Sequence, residues 1–290
     1  MRTFHQKPAL RAALQAARQG RKVIGFVPTM GYLHAGHASL LARARRECDV
    51  VVASIFVNPT QFAPNEDLTR YPRSPEADAR LCADQGVDLL WMPDVPAMYP
   101  EGFATQVRVA GLTETLCGAS RPHHFGGVAT VVTKLLALVA PDRAYFGRKD
   151  AQQLAVIERL VQDLDLPVQV VGVQTYREPD GLAMSSRNVY LSEEERVRAR
   201  LLSTALRASR RAWRAGERDA AALREVLLAA FAGAEGVRVD YAEVVDPATM
   251  QPLPRAPSER ALAALAVFVG ATRLIDNSRL DEEEPALDRA

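Results

Sequence analysis

"KVIGFVPTMGYLHAGHASLLARARRECDVVVASIF", Lys22 to Phe56, decides the fold. Its two ends, KVIGFVPT and VVVASIF, are apolar, β-rich runs without polar alternation, the pattern of strands buried on both faces. Between them the residues from Ser39 to Cys48 carry helical spacing, and a turn with Gly31, Gly36 and two histidines joins the first strand to the helix. A buried strand, a helix and a second buried strand in succession form a parallel crossover unit.

The alternation continues outward. VDLLWMP, RAYFG and VQVVGVQT read as further buried strands, with helices over Pro75 to Gln85, Val128 to Val139 and Ala151 to Asp163. The result is a doubly wound α/β parallel sheet, whose ligands bind at the carboxyl ends of its strands. After YREPDGLAMSSRN the pattern changes. Ser192 followed by Glu195 has capping-box spacing and predicts a long helix closing at Gly216, then a second helix over Ala220 to Ala232. The runs VRVDYAEVVD and ALAALAVFVGATRLID read as strands flanking a turn with Pro252, Pro254 and Pro257. The expected division is a catalytic domain over 1–177 and a smaller C-terminal α+β domain, a lid, over 178–290. The charged tail LDEEEPALDRA reads as frayed.

Composition bounds the function. The 290 residues are 48% hydrophobic and 24% charged with a formal charge of +1, which argues against a polyanion binder and for no nucleic-acid partner. Cys48, Cys82 and Cys117 are odd in number and show no CxxC spacing, which fits a reducing cytoplasm rather than a disulfide framework. MRTFHQKPALRAAL lacks the apolar core of a signal peptide, and no later run is long enough for a membrane helix, so no membrane partner is expected. Only Lys7, Lys22, Lys134 and Lys149 are lysines among 36 basic residues, so a lysine here is informative.

Five stretches carry chemistry. In VPTMGYLHAGHASLL the strand ends at Thr29 and a helix begins near His37; exposed N–H groups at that helix start favour an anion, and His34 and His37 are placed to hydrogen-bond phosphate oxygens. A zinc site is the weaker reading, since His-x-x-His supplies only two ligands and no neighbouring Cys, Asp or Glu has helical ligand spacing, and a plain loop is the other alternative. SIFVNPTQF sets Asn58 and Gln61 at a strand end, where amides donate to and accept from hydroxyls and carboxylates, although Asn-Pro alone marks a turn. YFGRKDAQQL places Gly147, Lys149 and Asp150 at the start of a helix, with Lys149 as a point charge for phosphate or as a solvated surface lysine. DGLAMSSRN offers Ser185, Ser186 and Arg187 in a mobile-looking connection, suited to closing over a triphosphate or serving as a polar hinge. CGASRPHHFGGVATVVTKLL holds Arg121, poised for an anion, a packed and silent His123, His124, and the pair Gly126-Gly127, which permits close approach of a ligand.

Taken together, PTMGYLHAGH, IFVNPTQF, RYPR, GASRPHHFGGVATVV, YFGRKDAQQL and GLAMSSRN, in this order, resemble the pantoate-β-alanine ligase family, part of the HIGH-motif nucleotidylyltransferase superfamily with its Rossmann-like fold. The resemblance implies ATP-dependent condensation of (R)-pantoate with β-alanine to pantothenate, AMP and pyrophosphate through a pantoyl-adenylate. It implies Mg2+ accompanying ATP, and a cytoplasmic homodimer. It implies catalytic roles for His37, His34, Lys149 and Arg187. ATP is assigned to Met30, Gly31, Tyr32, Leu33, His34, Ala35, Gly36, His37, Gly147, Arg148, Lys149, Asp150, Tyr176, Met184, Ser185, Ser186 and Arg187. Gln61 and Gln153 are implied to bind pantoate, with Gln61 also near β-alanine, and Asn58 is a further substrate-binding position; no metal-ligating residue is assigned. Four positions depart from the pattern: Ala35 stands where an acidic residue is common, Arg148 where Glu or Gln is common, His123 where Gly is usual and Tyr176 where an aliphatic is expected. Two alternatives are another adenylyl or cytidylyl transferase on the same fold and a non-catalytic nucleotide-binding regulator; the glutamines and SRPHHF oppose the first, and the retention of His37, Lys149 and Arg187 opposes the second.

Overall fold

The computed structural model describes residues 1–64 and 66–282, so most of the acidic tail predicted to fray lies outside the described residues. The first part of the chain runs β1 (Arg2–Phe4), α1 (Lys7–Gln19), β2 (Ile24–Thr29), α2 (Ala35–Glu47), β3 (Val50–Ile55), α3 (Pro75–Asp84), β4 (Leu89–Trp91), α4 (Val95–Met98), α5 (Leu116–Ser120), α6 (His124–Val139), β5 (Arg143–Gly147), α7 (Ala151–Asp163) and β6 (Gln169–Val173). The six strands form one sheet in the order β1-β4-β3-β2-β5-β6, every pairing parallel. From β2 the chain steps through β3 to β4 on one side, then crosses to β5 and β6 on the other. The strand order therefore reverses between neighbouring β2 and β5, and ligands of open α/β sheets bind at the carboxyl ends of strands at such a switch point.

β2 and β3 form because Ile24, Phe26, Val27 and Val50 to Ala53 have both faces covered. Leu40, Leu41 and Ala44 of α2 pack with Val27, Val51 and Leu90 under the sheet. At about 25 cal/mol per Å² of apolar surface removed from water, this burial anchors the strand whose end carries the histidine turn.

The remainder runs α8 (Glu193–Ala199), α9 (Leu201–Arg214), α10 (Ala220–Ala229), β7 (Val237–Val245), β8 (Leu262–Val269) and β9 (Thr272–Arg279), the strands making an antiparallel sheet in the order β7-β8-β9. Leu202, Leu206, Leu223 and Leu227 from α9 and α10 form one core with Ala263, Leu265 and Val267 of β8. The single long helix expected from Ser192 to Gly216 is two helices. Its capping box is present, with Ser192 accepting from the Glu195 N–H and the Glu195 carboxylate accepting from the Ser192 N–H. The Ser203 and Thr204 hydroxyls both donate to the carbonyl of Arg200, at 3.0 and 3.2 Å, and share it with the Thr204 N–H at 3.2 Å, so the break falls where one carbonyl serves three donors. ALAALAVFVGATRLID is a hairpin turning at Gly270.

The described chain divides into two compact units. Among the described residues, one comprises those of Met1–Ala110, Arg121–Arg148 and Val156–Gln174; the other comprises those of Gly111–Ser120 and Lys149–Ala155 and those from Thr175 onward. The second unit thus takes two early segments besides the C-terminal stretch, and the first of them includes α5. A cut at one chain position cannot reproduce this grouping. No helix among the described residues is long and apolar enough to cross a membrane.

Candidate active site

In the first unit, three strand ends present polar turns. At the end of β2 the Thr29 hydroxyl donates to the Ser54 carbonyl of β3 at 2.8 Å and accepts from the Gly31 N–H at 3.2 Å, so the turn starts anchored to the neighbouring strand. Gly31 (φ +83°) and Tyr32 (φ +50°) both take left-handed backbone conformations, the second strained for a residue with a Cβ. Asp78 of α3, buried at 2% exposure, offsets that strain: its carboxylate accepts the N–H groups of Tyr32 at 2.8 Å and Leu33 at 2.6 Å. The sequence reading missed Asp78, whose partners lie far away in the chain.

The turn delivers His34 to the N-cap of α2, which begins at Ala35 rather than near His37. His34 Nδ1 accepts from the Gly36 N–H at 3.2 Å, and His37 Nδ1 accepts from the His34 N–H at 3.3 Å; the pair forms a capping box made of imidazoles. The rings lie 4.1 Å apart between centroids. Because each Nδ1 accepts, each neutral ring carries its proton on Nε2. Ala35 occupies a first-turn position without adding charge.

After β3, Asn58 and Gln61 are buried, Asn58 completely and Gln61 at 8% exposure. Asn58 Nδ2 donates to Gln61 Oε1 at 3.0 Å and to the Gly127 carbonyl at 3.2 Å, while Gln61 Nε2 lies 3.0 Å from the Met30 sulfur. Gly127 has a purpose other than the predicted approach of a ligand. A Cβ there would stand 2.4 Å from the Thr60 carbonyl oxygen, so it is α6 that must approach the Asn58-Gln61 turn; a Cβ on Gly126 would meet open space. Arg121 does meet an anion, but the anion is Glu66, held through Nε at 2.6 Å and Nη2 at 2.5 Å, and Nη2 also donates to the Gln61 carbonyl at 3.2 Å. Burial pushes the Glu66 carboxyl up, yet the Arg121 hydrogen bonds and charge outweigh this and hold it below its ordinary value. His124 Nδ1 lies 3.0 Å from the same Gln61 carbonyl. His123 is exposed rather than packed. At the end of β5, Gly147 and Arg148 complete this unit's share of the predicted residues; burial raises the carboxyl of Glu158 on α7, and the Arg148 charge counters part of that rise.

Lys149, Asp150, Gln153, Tyr176 and Met184 to Arg187 belong to the second unit. The Asn277 amide of β9 donates to the Lys149 carbonyl at 2.7 Å, which fixes the backbone that carries a side chain only 18% exposed. Lys149 Nζ lies 3.9 Å from the Asp150 carboxylate. Next to Gln153 stands the buried Gln152, absent from the sequence reading: its Nε2 donates to the Leu112 and Thr115 carbonyls at 2.9 and 2.8 Å, and its Oε1 accepts from the Cys117 N–H at 3.0 Å. The Tyr176 carbonyl accepts from the Met184 N–H at 3.0 Å.

The GLAMSSRN segment is more tightly tied than a hinge reading suggests. Arg177 grips the buried Asp276 at 2.6 and 3.1 Å, and Arg196 bridges Glu178 and Asp180. Asn188 Nδ2 donates to Glu178 at 2.7 Å and to the Ala183 carbonyl at 3.1 Å. Ser185 caps a short 3-10 turn by accepting from the Arg187 N–H. Among the described residues no group of three or more His, Cys, Asp or Glu side chains could hold a metal ion.

A parallel sheet with a histidine-capped helix at its switch point defines a nucleotide-handling α/β protein of the Rossmann-like class. The model of the pantoate-β-alanine ligase family matches residues 2–279, and the chain belongs to that family. It is an enzyme, a ligase that uses ATP to condense pantoate with β-alanine to pantothenate. The pantothenate synthetase of Moorella thermoacetica is 54% identical over 273 residues, 94% of this chain and 96% of the relative. That of Geobacter sulfurreducens is 50% identical over 284 residues, covering 98% and 100%. The crystal structure of pantothenate synthetase from Thermus thermophilus is similar at a TM-score of 0.92 and 52% identity, covering 97% of this chain and 99% of that one. A pantoate-β-alanine ligase from Francisella tularensis, solved in complex with β-γ ATP and β-alanine, is similar at a TM-score of 0.80 and 33% identity over 98% and 99% of the two chains.

Proposed function

We propose that the condensation proceeds in two half-reactions, with MgATP as the substrate form of the nucleotide. The pantoate carboxylate attacks the α-phosphorus and pyrophosphate leaves; the unprotonated amine of β-alanine then attacks the acyl carbon of pantoyl-adenylate, AMP leaves with the bonding electrons, and the nitrogen gives up one proton to solvent. Neither step requires a protein nucleophile, so catalysis is positioning and charge stabilisation. The observation that carries this reading is the imidazole capping box, which orients two Nε2–H donors at the N-terminus of α2. His34 and His37 act on the phosphate oxygens, aided by Lys149 and Arg187, while Met30 to Gly36, Gly147, Arg148, Asp150, Tyr176 and Met184 to Ser186 frame the nucleotide. Gln61, Gln153 and Asn58 serve pantoate. Magnesium is held chiefly by phosphate oxygens and water, as small hard cations are in such sites. The enzyme works in the cytoplasm as a homodimer without nucleic acid.

The test is isotopic exchange of pyrophosphate into ATP. Exchange that depends on pantoate and magnesium, but not on β-alanine, is the expected result. A requirement for β-alanine would replace the adenylate with a concerted path.

A further inference from the structure

Tyr99, at the end of α4, has no place in the motifs, yet it terminates a hydrogen-bond chain whose direction is fixed. The Gly127 carbonyl can only accept, so the Asn58 amide must turn its NH2 toward it, at 3.2 Å. The second Asn58 hydrogen goes to Gln61 Oε1 at 3.0 Å, and Asn58 Oδ1 then receives hydroxyl protons from Tyr99 at 2.7 Å and Thr60 at 2.9 Å. All four hydrogen-bonding positions of a fully buried amide are filled. With Oε1 already accepting, Gln61 turns its NH2 to the far side, where its partner is the sulfur of Met30, a weak acceptor that a carboxylate or hydroxyl oxygen would displace.

The Tyr99 ring is braced away from this chain. Phe103 meets it edge-on with centroids 5.1 Å apart, and Lys134 Nζ lies 4.2 Å from the Phe103 centroid and 5.7 Å from that of Tyr99. Burial raises the phenol's ionisation above its ordinary value, which keeps the hydroxyl a donor.

We infer that Tyr99 is a positioning residue which, through Asn58, locks the Gln61 amide NH2-outward, so that the Gln61 subsite presents its donors to a hydrogen-bond-accepting oxygen of the hydroxy acid. The inference rests on Gln61 facing pantoate, and three variants separate the two. Gln61→Ala tests the subsite: pantoate binding unchanged from the parent would remove it, and the relay with it. Tyr99→Phe tests the relay. Loss of one neutral hydrogen bond is expected to raise KM for pantoate about 3- to 10-fold while KM for ATP, and the melting temperature, stay near the parent's. An unchanged pantoate KM, or equal weakening of both substrates, overturns it. Gln61→Glu tests polarity, because an ionised carboxylate offers the ligand only acceptors. Pantoate binding by calorimetry should be lost at pH 8 and recover toward about pH 5 as the side chain regains a proton, a recovery Gln61→Ala cannot show. Parent-like pantoate binding by Gln61→Glu at pH 8 would show that the NH2 is not needed, and would end the proposal.

Discussion

The two units secure their predicted residues in different ways. In the first, the site side chains hydrogen-bond with one another or with the turn that bears them: His37 to the His34 backbone, Asn58 to Gln61, Gln61 to Met30. In the second, Ser185 caps its own turn and Lys149 Nζ lies near Asp150, but the short contacts beside Lys149 and Gln153 fall on the backbone or on a neighbour: Asn277 holds the carbonyl of Lys149, and Gln152, next to Gln153 in the chain, staples Leu112 and Thr115. Side-chain networks set the polarity and tautomer of a group before any ligand arrives, whereas backbone anchoring fixes only where a side chain originates. Substitutions in the first unit should therefore change the chemistry presented, and those in the second the placement of a group that still reaches.

The largest effect should come from His37→Ala, which removes a phosphate donor and half of the imidazole capping box. Removal of one donor that acts on developing charge costs about 100- to 1000-fold in kcat, and loss of a cap about 1 kcal/mol in stability. Single-turnover formation of pantoyl-adenylate, paired with thermal unfolding, measures both. A rate near the parent's would reduce His37 to a helix cap.

Next come the adjacent glutamines of α7, which put the comparison to its sharpest test. Gln153→Ala should weaken pantoate by about 1 to 3 kcal/mol, the cost of an unpaired buried oxygen, with stability preserved. Gln152→Ala should do the reverse. It strips partners from the Leu112 and Thr115 carbonyls and the Cys117 N–H, so stability falls by a similar 1 to 3 kcal/mol, roughly, at little cost in pantoate affinity for protein that remains folded. Titration calorimetry and urea unfolding of the two variants distinguish these patterns; interchange of the two results would reverse the assignments.

These neighbours also mark the limit of what was legible in sequence. Gln153 is assigned by resemblance alone and Gln152 by neither motif nor resemblance, because its partners lie in Leu112 to Cys117 and no local spacing announces them. Asp78 and Tyr99 escaped for the same reason, each acting on residues about forty positions away. The strand-turn-helix unit was readable because buried strands demand unbroken apolar runs. β1, three residues long, depends on pairing with β4 and has no periodicity to display. α1 was overlooked although Leu10, Ala13, Leu14 and Ala17 keep a helical stripe. The break at Arg200 escaped as well, since Ser203 and Thr204 do not by themselves say that their hydroxyls will take a carbonyl.

Lys149→Arg examines the second unit at constant charge. The Asn277 contact holds the carbonyl, so a longer, planar group must start from the same point and present a fork where a compact ammonium stood. Adenylation should slow about tenfold, roughly 1.4 kcal/mol of transition-state stabilisation, in kcat more than in KM for ATP. Lys7→Arg, at the start of α1, is the control. Equal pre-steady-state rates for the two variants would make Lys149 a compositional accident.

The smallest effect concerns Glu66, whose pairing with Arg121 supports the Gln61 backbone. Its folded carboxyl titrates below the ordinary value of 4.5. The unfolded chain therefore takes up the proton first as pH falls: the stabilisation is fully present above 4.5 and disappears as pH drops through the lower folded value. Glu66→Gln should cost roughly 1 kcal/mol at neutral pH, a modest figure because the pair keeps some solvent contact. Below the folded value the parent's own Glu66 is neutral, so the two stability curves should meet in acid. Other carboxyls also titrate there, Glu47 and Asp281 being likewise held low, but they are common to both proteins and cancel in the difference. Urea unfolding from pH 7 to pH 3 provides that difference. Parallel curves that never converge would mean Glu66 acts through its shape and hydrogen bonds, and the charge would have no part in holding the Gln61 turn.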